Sequence, residues 1–383
     1  MIRNVHALTA ASYTSMFFLG VGSTIIGAAA RNIGLSPYQI GFLLTIQNLG
    51  FIISVILTGG LSDIYEKTKI LFAGSCVLAI SFGFFYRLSS FQINLSLMFL
   101  IGVGTGTYEG VSDAMLIEIH RKKESLYINI NHFFATFGSL MITLYLIFLQ
   151  MNWRSATVQS GIAVGVLALF FLLSAAGKGD RSEEPLSSRL RFLLGEKTVS
   201  ILFASTICTV GLELGSVGIM TTYLMEQRGF NQITSKICLL IFLAGIATGR
   251  LLVGFFSRKN QIPRFVLILF GSATIFLGAL YFTEPGWVTY GLIFFSGMTI
   301  SALLPLLITL GGVMYKDMAG TVLGIIKIAI PIGGILIPLL ISVLSKYSSF
   351  KTSLLLFPFI SGIGFLIMFI NLKKFHKFNL DER

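Results

Sequence analysis

Two carboxylates, Glu109 and Asp113, lie four positions apart in the glycine-rich and otherwise apolar run GVGTGTYEGVSDAML. On a helix, side chains at positions i and i+4 share one face, so this pair could share a proton or pass it along. Burial disfavours a charged carboxylate, and the protonation of Glu109 should therefore respond to whether water reaches it. The pair predicts a proton-carrying site. The alternative is a permanently protonated Glu109 that bonds a neighbouring helix, with Asp113 wetted at the inner end.

The elements that hold these acids are membrane-spanning helices by composition. Of 383 residues, 55% are hydrophobic and 11% charged, whereas a soluble domain carries roughly 25% charged residues. Apolar runs of about 20 residues, each long enough to cross a bilayer as a helix, recur about twelve times. We expect an all-α membrane protein with spans at 7–30, 38–61, 70–88, 94–117, 126–149, 155–176, 199–224, 235–256, 265–282, 287–315, 319–344 and 349–372.

Lysine and arginine are distributed unevenly among the predicted loops. A cytoplasmic N-terminus assigns about 19 basic residues to the cytoplasmic side and about 7 to the outer side. We therefore expect a multi-pass protein of the cell (inner) membrane with both termini cytoplasmic. The net charge of +12 follows from this topology, so we expect no nucleic-acid partner, which such a charge would suggest in a soluble protein.

The sequence contains no recognisable group of catalytic or metal-ligating residues. Cys76, Cys208 and Cys238 occur singly inside predicted spans, with no metal spacing, and are expected to pack as small apolar residues. Neither the HExxH motif of zinc proteases nor the serine and aspartate motifs of intramembrane proteases occur. We predict that the protein is not an enzyme, uses no metal or cofactor, and is a monomer in the lipid bilayer.

The chain divides into two similar halves. Its longest polar stretch, KGDRSEEPLSSRLRFLLGEK, separates six predicted spans from six others. This gives an N-terminal six-helix bundle at 1–177, a cytoplasmic linker at 178–198 and a C-terminal six-helix bundle at 199–383. An offset of about 195 residues places Gly20 on Gly215, Gly59 on Gly254 and Asp63 on Arg258, as expected for a duplication. Such repeats allow a central site to open alternately to either side.

The loop after the second span carries a recognisable motif. GGLSDIYEKTKIL, Gly59–Leu71, resembles the loop between helices two and three of the major facilitator superfamily. The resemblance implies that Gly59 allows close helix approach and that Asp63 stabilises one closed state. Ile64 stands where the family usually has a basic residue.

Two cations of the second half are further gating candidates. In GRLLVGFFSRK, Gly249–Lys259, Arg250 matches a family arginine and Arg258 occupies the aspartate position. Lys327 lies inside the eleventh span, where its long stem could snorkel to the inner face or its ammonium could form an ion pair across the cavity. The resemblance and the position within a span make Gly59, Asp63, Arg250 and Lys327 the predicted gate.

The fourth and fifth spans resemble those of the fucose:proton symporter family within this superfamily. The alternating glycines, Glu109, and NINHFFATFG at Asn129–Gly138 carry the likeness, with Asp113 in place of the usual asparagine. By resemblance, Glu109 couples the proton to the sugar. The family's second acid, in helix one, has no counterpart in Gly20–Ala30. Glu213, at about mid-depth in the seventh predicted span, is the candidate replacement for this acid.

Uncharged polar side chains within the spans are candidates for solute contacts. They are Gln47, Asn48, Asn129, Asn131 and His132, which could hydrogen-bond sugar hydroxyls from a central cavity. Each could instead bond a neighbouring helix, an interaction worth about 0.6 kcal/mol. Because histidine side chains can change charge near neutral pH, His132 would also suit a proton relay.

These observations predict a secondary active transporter of a small polar solute. The specific expectation is a proton-coupled monosaccharide symporter working by alternating access. The alternative is a drug or metabolite exporter, a proton antiporter of the same fold. Such exporters usually carry a glycine and proline motif in helix five, whereas SLMITLYLIF after Gly138 contains no proline.

Overall fold

The computed structural model describes residues 3–35, 37–176, 184–282 and 286–377, and these ranges are almost entirely helical. The α-helices are α1 Val5–Ile33, α2 Pro37–Leu61, α3 Lys67–Phe84, α4 Phe91–Ile119, α5 Glu124–Phe148, α6 Trp153–Leu173, α7 Leu186–Gly195, α8 Lys197–Arg228, α9 Gln232–Phe256, α10 Ile262–Phe282, α11 Trp287–Ser301, α12 Leu303–Met314, α13 Ala319–Lys327, α14 Ala329–Tyr347, α15 Phe350–Ser353 and α16 Leu356–Lys377. Short 3-10 turns at Lys259–Gln261 and Lys316–Met318 precede α10 and α13.

The helices account for the predicted spans. Within the described ranges, nine helical segments are long and apolar enough to cross a membrane. Three others, α1, α4 and α5, have 29, 29 and 25 residues and so also have sufficient length. Nine and three make twelve, as predicted for an all-α membrane protein. The acids, the histidine and the amide of the candidate site lie on α4 and α5.

Two predicted spans are each broken into two helices. The span at 287–315 breaks at Ala302 between α11 and α12, and the span at 319–344 breaks at Ile328 between α13 and α14. Each break falls three residues before a proline, Pro305 or Pro331. Proline has no N–H and is tolerated in the first turn of a helix, but it cannot bond the carbonyl four residues earlier. Ser301 and Lys327 carry the two carbonyls released in this way.

The chain forms two compact units. The first contains Met1–Lys122, Ile130–Leu193 and Tyr315–Ile328, and the second contains Lys123–Asn129, Leu194–Met314 and Ala329–Arg383. Each unit therefore includes one short segment from the opposite half of the sequence. At the offset of about 195, residues 123–129 fall on 318–324, which agrees with a duplicated chain. The predicted boundary at 177/178 lies outside the described residues, and the division at 178–198 stays a prediction.

Glycines set the close packing of α2 against α4. A methyl group on Gly102 would overlap the carbonyl oxygen of Gln47, and one on Gly106 would lie 2.6 Å from that of Phe51. The two backbones can approach this closely because neither glycine carries a side chain. The glycines around Glu109 are thus packing positions, and they fix α4 in place.

Linker residues 186–195 form α7 rather than an irregular polar connection. Leu186, Leu190 and Leu193 recur at helical spacing, so one face of the helix is apolar. Leu193 is completely buried, and so is Arg189 on the same helix. The linker therefore contributes a packed element to the first unit.

Candidate functional site

Five buried polar side chains of the first unit form one cluster. Glu109 and Asp113 project from α4, Asn131 and His132 from α5, and Lys327 from the last position of α13. None is more than 4% exposed, and Asp113, Asn131 and Lys327 are 0% exposed. The sequence names all five, but it assigns Lys327 to the gate rather than to this group.

Lys327 is held between the two acids. Its Nζ lies 2.6 Å from Asp113 Oδ2 and 3.0 Å from Glu109 Oε1. It also donates to the backbone carbonyl of Glu109. The side chain is buried and does not snorkel, so of the two predicted alternatives the structure contains the ion pair. Because Lys327 ends α13, its charge also lies near the negative end of that helix dipole.

Asp113 accepts hydrogen bonds from three directions. Besides Lys327, Asn131 Nδ2 donates to Oδ1 at 2.8 Å, and His132 Nε2 lies 3.0 Å from Oδ2. Asn131 in turn accepts from Ser12 Oγ of α1 at 3.3 Å. Charge-assisted bonds of this kind favour the ionised carboxylate. Asp113 is therefore the fixed anion of the cluster.

Glu109 has a weaker set of partners than Asp113. Its Oε1 is near Lys327 Nζ but makes no aligned hydrogen bond to any side chain that the structure describes. Two carboxylates face one ammonium, so the cluster carries one excess negative charge while His132 is neutral. An uncompensated buried charge is costly. Glu109 is thus the carboxylate of this cluster with fewer hydrogen-bond donors.

The three titratable groups other than lysine are also close enough to bind a cation. Ligand atoms of Glu109, Asp113 and His132 all lie within 4.8 Å of one another. The ammonium of Lys327 lies against both carboxylates and supplies the positive charge that a metal ion would bring. The lysine ammonium therefore already occupies a position between the two carboxylates of this donor set.

The second group of predicted residues surrounds the start of α13. Asp63, between α2 and α3, accepts from Gly320 N at 2.7 Å and from Thr321 N at 2.8 Å. Burial raises the pKa of the Asp63 carboxyl, while the hydrogen bonds from Thr321 and Gly320 act against this rise. A methyl group on Gly59 would lie 2.6 Å from Gly320 O, so glycine is required at this approach. The structure thus brings the gate residues Gly59 and Asp63 to α13.

Arg189 of α7 completes this group. Its Nη1 lies 2.7 Å from Asp63 Oδ2 and donates to Thr321 Oγ1 at 2.6 Å, and Nη2 donates to Gly60 O at 3.0 Å. Arg189 and Thr321 were not among the predicted site residues. The available signal was an arginine flanked by leucines at helical spacing in LSSRLRFLL.

Glu213 and Arg250 pair with each other in the second unit. Arg250 Nη2 donates to Glu213 Oε1 at 2.6 Å, and Arg250 Nε donates to Ser301 O at 3.2 Å. Ser301 O is the carbonyl that Pro305 leaves without its helical donor. Arg250 therefore holds the broken span and the Glu213 carboxylate together. This places the candidate replacement acid in a salt bridge.

Three other predicted solute contacts bond the backbone. Gln47 Nε2 donates to Gly22 O of α1 at 2.9 Å. Asn48 and Asn129 donate to the carbonyls four residues before them, at 3.0 and 2.8 Å. Gln47 therefore makes the alternative bond to a neighbouring helix, whereas Asn48 and Asn129 bond carbonyls of their own helices.

An open apolar cavity of about 620 Å³ lies between α1, α5 and α6 of the first unit, and lining residues such as Leu144 and Phe148 are exposed. Phe17, Phe137 and Phe148 contribute to its aromatic wall. Polar groups at its lining include Tyr145 and Gln159, and the tyrosine hydroxyl donates to Gln159 Oε1. Its size falls in the range of roughly 300–1,000 Å³ that is usual for small-molecule sites.

Comparison with known proteins identifies a matching family and a relative in sequence. The family model of the Major Facilitator Superfamily matches residues 7–338. The glucose/mannose transporter GlcP of Bacillus subtilis (strain 168) is 22% identical over 333 residues, which are 79% of this chain and 78% of GlcP.

Two solved transporters share the fold. FucP in the outward conformation aligns with a TM-score of 0.79 at 15% identity, over 94% of this chain and 98% of FucP. In a second FucP structure, that protein is described as the E. coli fucose:proton symporter. The proton:xylose symporter XylE, bound to 6-bromo-6-deoxy-D-glucose, gives a TM-score of 0.75 at 14% identity, over 96% of this chain and 95% of XylE.

Proposed function

The chain belongs to the Major Facilitator Superfamily and is a multi-pass membrane transporter rather than an enzyme, and we propose that it couples the movement of one proton to that of a monosaccharide. GlcP is named a glucose and mannose transporter, and FucP and XylE are named proton symporters of sugars. These names support the class of solute. The coupling is argued from the chain's own residues.

The observation that carries the proposal is the charge balance at Glu109, Asp113 and Lys327. With Glu109 ionised, Lys327 is shared by two carboxylates. With Glu109 protonated, the ammonium is left to Asp113 alone, which keeps its bonds from Asn131 and His132. Because Lys327 is the last residue of α13, proton binding changes what holds that end of the helix. A proton at Glu109 is thereby linked to the position of α13.

The remaining roles follow from this arrangement. His132 lies against Asp113 and is placed to relay protons to the acids. Gly59 and Asp63 hold the start of α13 in one closed state, and Arg250 with Glu213 stabilises the second unit. We place the protein in the cell (inner) membrane as a monomer, with both termini in the cytoplasm. Protons and a small solute are its partners.

Transport by reconstituted protein tests the coupling. Purified protein in liposomes should accumulate a labelled monosaccharide when an inward proton gradient is imposed. The variant Glu109→Gln cannot bind and release this proton, and we expect accumulation to fall to the level of equilibration, with exchange of solute retained. Glu226→Gln, at an exposed position of α8, is the matched control and should accumulate normally. Parental accumulation by Glu109→Gln would refute the coupling role.

A second function, export of a lipophilic compound, is favoured by the aromatic cavity between α1, α5 and α6. Its lining is mainly hydrocarbon, which suits an apolar solute better than a sugar. If this cavity carries the solute, cells with the protein should expel a lipophilic dye, and Ala163→Phe in the lining should abolish the efflux. Val166→Phe on the exposed side of α6 should not. An absence of dye efflux by the parent would reject this function.

A further inference from the structure

The residue that follows Asp63 in the sequence motif carries no positive charge. Ile64 stands at the position where the family usually has a basic residue. The nearest lysine of the motif, Lys67, is paired elsewhere, since its Nζ lies 2.6 Å from Glu118 Oε2 of α4. Asp63 is nevertheless buried. A buried carboxylate usually requires a paired cation or several donors.

We propose that Arg189 of the linker helix α7 supplies this missing cation and that α7 is thereby a lock on the start of α13. The inference rests on the proposed function in one respect, namely that transport requires α13 to leave the loop between α2 and α3. The geometry of the lock does not depend on which solute or ion is carried.

The contacts of Arg189 join three parts of the chain. One guanidinium bonds the Asp63 carboxylate, the Thr321 hydroxyl and the Gly60 carbonyl, at 2.7, 2.6 and 3.0 Å. Thr321 Oγ1 also lies 2.5 Å from Asp63 Oδ2, so the acid, the hydroxyl and the guanidinium form a closed triangle. Arginine suits this role because its planar fork can bond two acceptors at once.

The rest of α7 holds Arg189 in place. Leu186 packs on Gly60, where any added methyl group would overlap the leucine side chain, and Leu193 is 0% exposed. Arg191, two residues further on, is exposed. The apolar face of α7 therefore anchors the helix to the loop, and Arg189 is the side chain that reaches from it to α13.

Separation of α13 from the loop must break the bond between Arg189 and Thr321. It also removes the two backbone N–H donors at Gly320 and Thr321 from Asp63, which leaves Arg189 as a charged partner for the exposed acid. Removal of Arg189 weakens the closed arrangement, because a charge-assisted bond across to Thr321 is lost. A bond of this strength corresponds to a change of about tenfold in the closed-to-open ratio.

Cysteine labelling measures this ratio without any solute or proton gradient. In a protein whose three natural cysteines are replaced, Ser62→Cys places a thiol at a position that is 1% exposed beside Gly59 and Gly320. The rate of its reaction with a membrane-impermeant maleimide is measured in vesicles of both orientations. Thermal unfolding and monodispersity in detergent report folding. Arg189→Gln is the test variant, and Arg191→Gln on the same helix is its matched control.

We expect Arg189→Gln to raise the labelling rate about tenfold from one side of the membrane, while Arg191→Gln labels like the parent. Asp63→Asn should also raise the rate, and adding Arg189→Gln to it should raise the rate further, because the bond between Arg189 and Thr321 does not involve Asp63. Parental labelling of a folded Arg189→Gln variant, or equal increases for both arginine variants, would overturn the proposal. If Arg189→Gln does not fold, Arg189→Lys keeps the charge without the fork and should label at an intermediate rate; a parental rate would then reject the lock.

This test separates the lock from the proton coupling. Loss of solute accumulation in Glu109→Gln depends on the buried cluster, whereas the labelling rate depends on the contacts of α7. An unchanged labelling rate rejects the lock even if proton coupling holds. A normal accumulation by Glu109→Gln rejects the coupling and leaves the labelling result intact.

Discussion

Replacement of Lys327 by methionine should strongly destabilise the protein, because it leaves two buried carboxylates without their ammonium. Glu109 is 3% exposed and Asp113 is 0% exposed, so water cannot take over the role of Nζ. Breaking a buried ion pair by removing one partner costs about 3–5 kcal/mol. For a chain of 383 residues, the Tm falls by roughly 1.2 °C per kcal/mol, so we expect a decrease of roughly 4–6 °C.

A double-mutant cycle connects this loss to Glu109. In Lys327→Met, the excess negative charge of the cluster grows from one to two. Glu109→Gln alone removes the excess negative charge and should cost little stability. The pair of substitutions together should therefore be more stable than Lys327→Met alone, with a coupling energy of about 1–3 kcal/mol. Thermal unfolding of the purified protein in detergent, followed by tryptophan fluorescence, provides the four Tm values.

The control for this cycle is Lys236→Met, an exposed lysine of α9. It removes the same side chain from a position without buried acids, and the Tm should stay within about 1 °C of the parent because surface substitutions usually change stability little. If Lys327→Met lowers the Tm no more than Lys236→Met, the cluster is not a coupled charge network. Full additivity of Lys327→Met and Glu109→Gln would lead to the same conclusion.

Three further outcomes are expected. Arg250→Gln should cost about 3 kcal/mol, because it leaves Glu213 and a helix carbonyl unpaired, and adding Glu213→Gln should recover part of the lost Tm, whereas a further loss would contradict their pairing. Gly106→Leu should lower the Tm by several degrees through overlap with α2, while Gly165→Leu, which faces open space, should not. Burial lowers the pKa of the His120 side chain, so NMR titration should find the ring still neutral at pH values where a free histidine is already protonated. The contribution of His120 to stability is present above its unfolded-state pKa. It should be lost as the pH falls through the folded-state pKa.

Much of the architecture follows from local composition. The helices α2, α6 and α9 begin and end within a few residues of the predicted spans, because crossing a bilayer requires an uninterrupted apolar run. The broken spans were harder to predict. Pro305 and Pro331 mark the breaks, but a proline alone does not tell whether a helix kinks or stops, since this depends on which donor reaches the released carbonyl. At Ser301 that donor is Arg250.

The sequence by itself determined which chemical groups the membrane must bury: the acids of α4, the amide and imidazole of α5, and Lys327. Only the tertiary structure decided their partners. Lys327 and Asp113 are 214 positions apart, and Arg189 meets Asp63 across 126 positions. Hydropathy and spacing report the cost of burying a charge at one position, whereas the group that offsets this cost is selected by how distant helices pack.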